Sequence, residues 1–123
     1  MEHIDKKEFD KIREAENWLY NYKSTKAGIE SLKEEYEVLS EVKNTAIQLS
    51  LLESRINNME RKIKQIDRAL DQALTNIEKE IIKYACIEGM YYYEFTYKVY
   101  KSERQCKRIK KMALEKIAIA LGL

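Results

Sequence analysis

The stretch SERQCKRIKKMALEKI (residues 102–117) places six basic and two acidic side chains on a segment whose apolar residues recur at helical intervals. At 100° per residue, one face of the predicted helix is apolar and comprises Cys106, Ile109, Ala113, Ile117 and Ala120. The opposite face is cationic and comprises Arg104, Lys107, Arg108 and Lys111. Ser102 and Gln105 have capping-box spacing, which predicts that the helix begins there and runs to about Leu121.

The cationic face indicates an anionic partner. Residues 98–111 hold seven bases and one acid, whereas residues 1–73 hold 13 bases and 15 acids. Like charges at helical neighbour positions each cost about 0.2–0.5 kcal/mol, and cations near the start of a helix oppose its macrodipole. A surface that served solubility alone would intersperse the two signs. We therefore expect nucleic acid, and no membrane, because the apolar face that a membrane would need is required for packing.

The residue types in this segment suit the reading of base edges. Arginine can form two hydrogen bonds with the edge of guanine, and glutamine can do the same with adenine. The first turn of a recognition helix enters the major groove, where these edges are exposed. The predicted DNA-binding residues are Lys98, Lys101, Ser102, Glu103, Arg104, Gln105, Lys107, Arg108, Lys110 and Lys111. The sequence leaves open which tyrosines of the preceding segment pack in the core and which face phosphates, namely Tyr91, Tyr92, Tyr93, Tyr97 and Tyr100.

Two further helices are predicted before the basic one. Thr75 and Glu78 have capping-box spacing, and Gly89 is placed to end the helix that they begin. A short helix over residues 92–100 should then bury Phe95 and Val99. Three short helices of this kind, the last one basic, are typical of a helix-turn-helix, so residues 74–123 are predicted to be a DNA-binding head.

Residues 1–73 are predicted to form a helical hairpin or coiled-coil arm. Its first helix should cover residues 4–42, either as one helix with a kink at Gly28 or as two helices joined near residues 23–28. Ser50 and Glu53 predict the start of the second, and the short connection favours an antiparallel pair. The apolar stripes serve arm packing or oligomerisation; they comprise Trp18, Tyr22, Ile29, Leu32, Tyr36, Leu39, Ile56, Met59, Ile63, Ile66 and Leu70.

Composition favours an all-α protein without an enzymatic site. The chain has no Pro, three Gly, two Cys and one His in 123 residues, so we expect no metal, no cofactor and no His-based catalysis. Cys86 and Cys106 lie on apolar stripes and are predicted to be core residues. No apolar run approaches the roughly 20 residues of a membrane span, and the charged first 20 residues do not resemble a signal peptide. We therefore expect a cytoplasmic protein.

Residues 74–117 resemble the promoter-reading helix-turn-helix of sigma factors. They are more similar still to the form found in phage transcriptional activators of the ArpU/RinA kind. The resemblance is strongest in SERQCKRI and is carried by Leu74, Thr75, Glu78, Glu88, Gly89, Glu94, Phe95, Ser102, Ala113 and Ile117. Tyr100 and Lys101 depart from it, because they occupy turn positions that usually hold a small and an aliphatic residue. The likeness implies a phage or prophage regulator that binds DNA and activates late genes, with RNA polymerase as a further partner.

The expectation is thus an all-α regulator that binds double-stranded DNA sequence-specifically, as a monomer or a homodimer. Two alternatives stay open. One is a phage small terminase subunit that recognises packaging DNA and assembles into rings. The other is a coiled-coil adaptor whose head binds protein.

Overall fold

The computed structural model describes residues 6–123, which form six α-helices. The all-α class is therefore confirmed. The predicted start at residue 4 and the single histidine, His3, lie outside the described residues. The helices are α1 (Lys6–Tyr20), α2 (Tyr22–Ser40), α3 (Ala46–Gln72), α4 (Asn76–Ile82), α5 (Tyr92–Val99) and α6 (Glu103–Ala120). A π-helical turn, Lys83–Ile87, continues α4.

The chain divides into two compact units at places that differ from the predicted boundary between residues 73 and 74. One unit, called the head unit below, joins the residues up to Asn21 with Gln65–Leu123; the other, the hairpin unit, is Tyr22–Lys64. The difference arises because α1 packs on α6 and on the π-helical turn. Ala15 and Leu19 of α1 are fully buried in this way, so the first helix belongs with the residues that were predicted to be the head.

The hairpin unit has a small core built from α2 and α3. Ile29 and Leu32 of α2 are buried with Ile56 and Ile63 of α3. Partly buried side chains that pack against them are Tyr22, Tyr36, Leu52 and Met59. Seven of the residues predicted for the apolar stripes therefore pack within this unit, while half-buried Trp18 and buried Ile66 and Leu70 belong to the head unit. Leu39 is half-buried near the end of α2.

The break between the first two helices lies at Asn21, where α1 ends and α2 begins. The alternative of two helices joined near residues 23–28 is therefore confirmed, with the junction two residues before that segment, and the single kinked helix is wrong. Gly28 lies inside α2 and has a different role: a Cβ atom there would approach the Cε atom of Met59 to 2.9 Å. The absence of a side chain at Gly28 thus lets the Met59 side chain of α3 lie close to the α2 backbone.

The turn between α2 and α3 is closed by Thr45 rather than by the predicted capping box of Ser50 and Glu53, which lies inside α3. The Thr45 hydroxyl donates to the carbonyl oxygens of Val42 at 2.9 Å and Leu39 at 3.1 Å. Its own carbonyl oxygen accepts the Leu49 N–H at 2.9 Å. Asn44 adopts the left-handed region at φ 63°, which asparagine tolerates better than most residues. The Thr45 side chain therefore hydrogen-bonds to carbonyl groups at the end of α2, and the Thr45 backbone carbonyl accepts a hydrogen bond from the first turn of α3.

The core of the head unit lies between α4, α5 and α6. Ile81, Phe95, Val99 and Cys106 form one buried cluster, so the predicted burial of Phe95 and Val99 and the core position of Cys106 are confirmed. The prediction for Ala120 was wrong, because this residue is exposed. The buried positions that sequence periodicity missed on the last helix and its cap are Leu114, Ala118 and Leu121. The helix α6 has two packing faces, since α1 packs on it as well as α4 and α5.

Candidate nucleic-acid interface

The start of α4 is held by the predicted capping box, which is confirmed. The Glu78 carboxylate accepts the Thr75 N–H at 2.9 Å, and the Glu78 N–H donates to the Thr75 hydroxyl at 3.4 Å. The same carboxylate oxygen accepts a hydrogen bond from Lys116 Nζ at 2.9 Å. This contact joins α4 directly to the basic helix α6.

Glu78 is buried, and its carboxylate is kept ionised by its partners. Burial by itself raises the pKa of Glu78, but the Thr75 N–H and the Lys116 ammonium outweigh it and leave the pKa below the ordinary value of 4.5. An ionised buried carboxylate needs such partners because its desolvation is costly. Glu78 therefore helps to fix α6 against α4.

Gly89 follows the π-helical turn that continues α4, so it ends the helix that Thr75 and Glu78 begin, as predicted. It adopts φ +64°, a conformation that glycine adopts without steric cost. The N–H groups of Glu88 and Met90 on either side donate to the carbonyl oxygens of Lys83 at 2.8 Å and Tyr84 at 2.9 Å. The chain can therefore reverse and enter α5 with its last helical carbonyls satisfied.

The turn between α5 and α6 is short and brings the N-terminus of α6 to the surface. Tyr100 ends α5 in the left-handed region, at φ 55° and ψ 39°. Ser102 then caps α6: its N–H donates to Gln105 Oε1 at 3.0 Å, and its hydroxyl accepts the Gln105 N–H at 3.2 Å. The predicted capping box at the start of α6 is confirmed. Because the Gln105 side-chain oxygen is engaged in the cap, only its amide N–H groups remain to face a ligand.

The four cations of the predicted face are exposed on α6. Lys107 pairs with Glu103 at 3.4 Å, one turn earlier, and its Nζ lies 5.5 Å from the centre of the Tyr92 ring. Within residues 6–123, Arg104, Arg108 and Lys111 have no carboxylate at ion-pair distance. These three side chains thus carry the uncompensated positive charge of the helix.

Lys110 lies on a different face of α6 from the four exposed cations. It is half-buried and pairs with Glu16 of α1 at 3.7 Å. Lys110, Leu114 and Ala118 follow one another at four-residue spacing, so Lys110 lies on the face of α6 that α1 covers. Sequence reasoning placed this lysine with the DNA-binding set because α1 was assigned to the arm.

Lys98 and Lys101 flank the turn. Lys98 Nζ lies 5.4 Å from the centre of the Tyr84 ring and 5.9 Å from that of Tyr97. Lys101 is exposed immediately before the cap residue Ser102. Lys98 is thus in the last turn of α5, and Lys101 is in the turn that leads into α6.

The structure separates the tyrosines that the sequence could not sort. Tyr92 lies against Phe95, as does Tyr84, with ring centres 5.5 Å apart in each case. Tyr91 and Tyr93 stack on each other at 5.7 Å and are exposed. Tyr97 and Tyr100 are also exposed. Of the five tyrosines that the sequence left open, Tyr92 packs against the core and the other four face outward.

A comparison with known protein families matches residues 6–119 to the family described as Protein of unknown function (DUF722). The chain belongs to the DUF722 family. The match covers α1 and almost all of α6, so the family includes both compact units of the DUF722 protein. No curated protein and no solved structure matches the chain.

Three further features of the DUF722 protein concern metal binding, thiol reactivity and membrane insertion. Within residues 6–123, the chain has no group of three His, Cys, Asp or Glu residues that could hold a metal ion. Burial raises the pKa of the Cys86 thiol to about 12 and also raises that of Cys106, so both thiols stay protonated at neutral pH. None of the described helices is long and apolar enough to cross a bilayer.

Proposed function

We propose that this DUF722 protein is a transcriptional regulator that binds double-stranded DNA sequence-specifically through α6, without catalytic activity and without a cofactor. The observation that carries the proposal is the exposed, uncompensated charge of Arg104, Arg108 and Lys111 in the first half of α6. We further propose that it acts in the bacterial cytoplasm on phage or prophage genes, as the likeness of SERQCKRI to phage activators implies.

The position of the charge supports a DNA partner on energetic grounds. Arg104, Arg108 and Lys111 are helical neighbours, and each like-charge pair costs about 0.2–0.5 kcal/mol in the unbound protein. Of the two acids of α6, Glu103 pairs with Lys107, and Glu115 forms no ion pair within residues 6–123, so neither neutralises these three cations. The phosphates of DNA would remove this repulsion, and the release of their counterions would favour binding.

The architecture around α6 suits entry into a groove. A short turn precedes the helix, its N-terminus is exposed, and its other faces are covered by α1, α4 and α5. A major groove about 12 Å wide admits one α-helix, whose first residues then meet the base edges. Arg104 lies in this first turn and is the residue proposed to read a guanine. Lys111 lies two turns further and is proposed to contact phosphate.

Two partners are proposed on other grounds. RNA polymerase follows from the likeness to sigma factors. A homodimer is supported by the two-fold symmetry of many helix-turn-helix operators, although the apolar stripes of α2 and α3 are engaged within the chain. A dimer would therefore use other surfaces than most of the residues predicted for it.

The experiment begins with the selection of a preferred site from a random DNA pool and compares two variants on that site and on a random duplex. Lys111→Ala should weaken binding to both duplexes by a similar factor, because phosphate contacts carry no sequence information. Arg104→Ala should cost about 1–3 kcal/mol on the preferred site and less on the random one.

The matched control is Arg61→Ala, which removes one exposed cation from the hairpin unit and should leave both affinities within twofold. Equal losses for Lys111→Ala and Arg104→Ala on the two duplexes would refute the assignment of α6 as a recognition helix. If the wild-type protein bound no duplex at low salt, the proposed function itself would be wrong.

A further inference from the structure

The outward face of α5 carries a row of tyrosines that lie outside the core. Tyr93, Tyr97 and Tyr100 follow one another at spacings of four and three residues, which places them on one face. That face is opposite the buried Phe95 and Val99. The three side chains are 75%, 67% and 91% exposed. Single exposed aromatics are common, but a row of three is not explained by the core.

Tyr100 adds a second, independent observation. It holds left-handed backbone angles, which cost an L residue without a short polar side chain about 1–2 kcal/mol relative to the right-handed region. The side chain does not offset this cost by packing, because it is almost fully exposed. Glycine or asparagine would close the same turn with less strain. A bulky residue in such a position suggests a use outside the folding of the chain.

The surroundings of the row are positively charged. Lys98 and Lys101 lie among the tyrosines, and Lys98 Nζ is 5.9 Å from the Tyr97 ring centre. The only acid in residues 91–102 is Glu94, whose carboxylate accepts the Tyr91 N–H at 2.9 Å. The face therefore offers phenolic hydroxyl donors and ammonium groups together, which suits an anion that carries many acceptor oxygens.

The row also leads into the turn before the proposed groove-binding helix. Tyr100 is separated from the first residue of α6 by Lys101 and Ser102 alone. In helix-turn-helix proteins the helix before the recognition helix crosses the DNA backbone. The tyrosines are thus placed beside the strand that flanks the groove.

We propose that Tyr93, Tyr97 and Tyr100, together with Lys98 and Lys101, bind the phosphates of the DNA backbone beside the groove that α6 enters. The inference rests on the proposed function and deepens it, because it assigns a second surface to the same ligand. The hydroxyls donate to phosphate oxygens and the lysines neutralise charge. This surface fixes the orientation of the head on the duplex and carries no base preference.

Removal of the hydroxyls alone tests the role of the tyrosines. The variant Tyr93→Phe, Tyr97→Phe, Tyr100→Phe keeps the rings and the charges. Each lost hydrogen bond should reduce affinity at least about fivefold, so the triple variant should lose about a hundredfold on preferred and random duplexes alike. The slope of log K against log salt should not change, because neutral donors release no counterions.

Substitution of the two lysines should, in contrast, change the salt dependence of binding. Lys98→Ala with Lys101→Ala should reduce the magnitude of the salt slope by about 1.8, since each phosphate contact contributes about 0.9. The matched control for the triple phenylalanine variant is Tyr20→Phe. Tyr20 is a similarly exposed tyrosine on α1, beside the π-helical turn. This substitution should leave affinity and slope unchanged.

Tyr100→Asn separates binding from folding. Asparagine tolerates the left-handed region, so the variant should melt a few degrees higher than wild type while binding DNA less tightly. The combination of a higher Tm with a lower affinity supports the inference, since damage to the fold would lower both.

The inference is overturned if wild-type protein binds duplex DNA and the triple phenylalanine variant binds with an affinity within twofold of wild type. That outcome would leave the proposed role of α6 intact and would point to a protein partner for the tyrosine face. A wild-type protein without duplex binding would overturn the proposed function, and this inference with it.

Discussion

Glu78 is the residue whose substitution should reveal most about how α6 is held in place. It is buried, it caps α4 through Thr75, and it binds Lys116 of α6. We predict that Glu78→Ala destabilises the head unit by about 2 kcal/mol. The loss of the capping box contributes about 1 kcal/mol. The loss of the charge-assisted hydrogen bond contributes about 1 kcal/mol more, a value at the low end because the Lys116 side chain is 43% exposed and can be hydrated.

The assay is urea unfolding followed by circular dichroism at pH 7, with thermal melting as a second measure. A loss of 2 kcal/mol should lower Tm by roughly 8 °C. The matched control is Glu80→Ala, an exposed residue of the same helix, which should change the free energy of unfolding by less than about 0.5 kcal/mol. A Glu78→Ala variant as stable as this control would refute the account of how α4 and α6 are joined.

The same residue predicts a dependence on pH. The pKa of Glu78 is lower in the folded protein than its ordinary value of 4.5, so the folded state binds its proton less readily than the unfolded state does. The contribution of Glu78 to stability is therefore complete above about pH 4.5 and is lost as the pH falls through the folded value. Wild type and Glu78→Gln should differ in stability at pH 7, and the difference should shrink on acidification.

Three further predictions concern packing. Ile63→Asp should place a charge in the core of the hairpin unit and cost about 4 kcal/mol in urea unfolding; unchanged stability would contradict the buried position of Ile63. Gly28→Ala should change stability by less than about 1 kcal/mol, because the gain in helix propensity is offset by displacement of the Met59 side chain. With Met59→Ala in the background, the same substitution should stabilise by about 1 kcal/mol, and an equal effect in both backgrounds would refute the close contact. Cys86 and Cys106 should not react with a thiol reagent in the native protein and should both react in urea, so rapid native labelling of either would show that it is not buried.

Local sequence patterns predicted the helices of the head unit well. Thr75 with Glu78 and Ser102 with Gln105 both form the capping boxes that their spacing indicates. The identical reasoning was wrong for Ser50, which lies inside α3. A serine with a glutamate three residues later can equally occupy successive turns of a continuous helix. The choice was decided by Thr45, whose hydroxyl bonds to carbonyls of the preceding helix, a contact that spacing alone does not predict.

Contacts between distant parts of the chain were not predictable from periodicity. The face of α6 that carries Lys110, Leu114 and Ala118 is covered by α1, which the sequence assigned to an arm because its apolar residues continue those of α2. The acids and bases of α1 gave no signal of this packing. As a consequence, Lys110 was included in the predicted DNA-binding set although it pairs with Glu16. The tyrosines of α5 were unsorted for a related reason, because five tyrosines in ten residues fit several helical faces.

The central claim, that the cations of α6 and of the preceding turn bind phosphates and groove edges, is tested most directly by the salt dependence of duplex binding. Lys98, Lys101, Lys107, Arg108 and Lys111 provide four or five phosphate contacts per head, and each neutralised phosphate contributes about −0.9 to the slope of log K against log salt. The account predicts a slope near −4 for one head, and about twice that if a dimer places two heads on one duplex. A slope near zero, with no binding to duplex DNA at low salt, would contradict it.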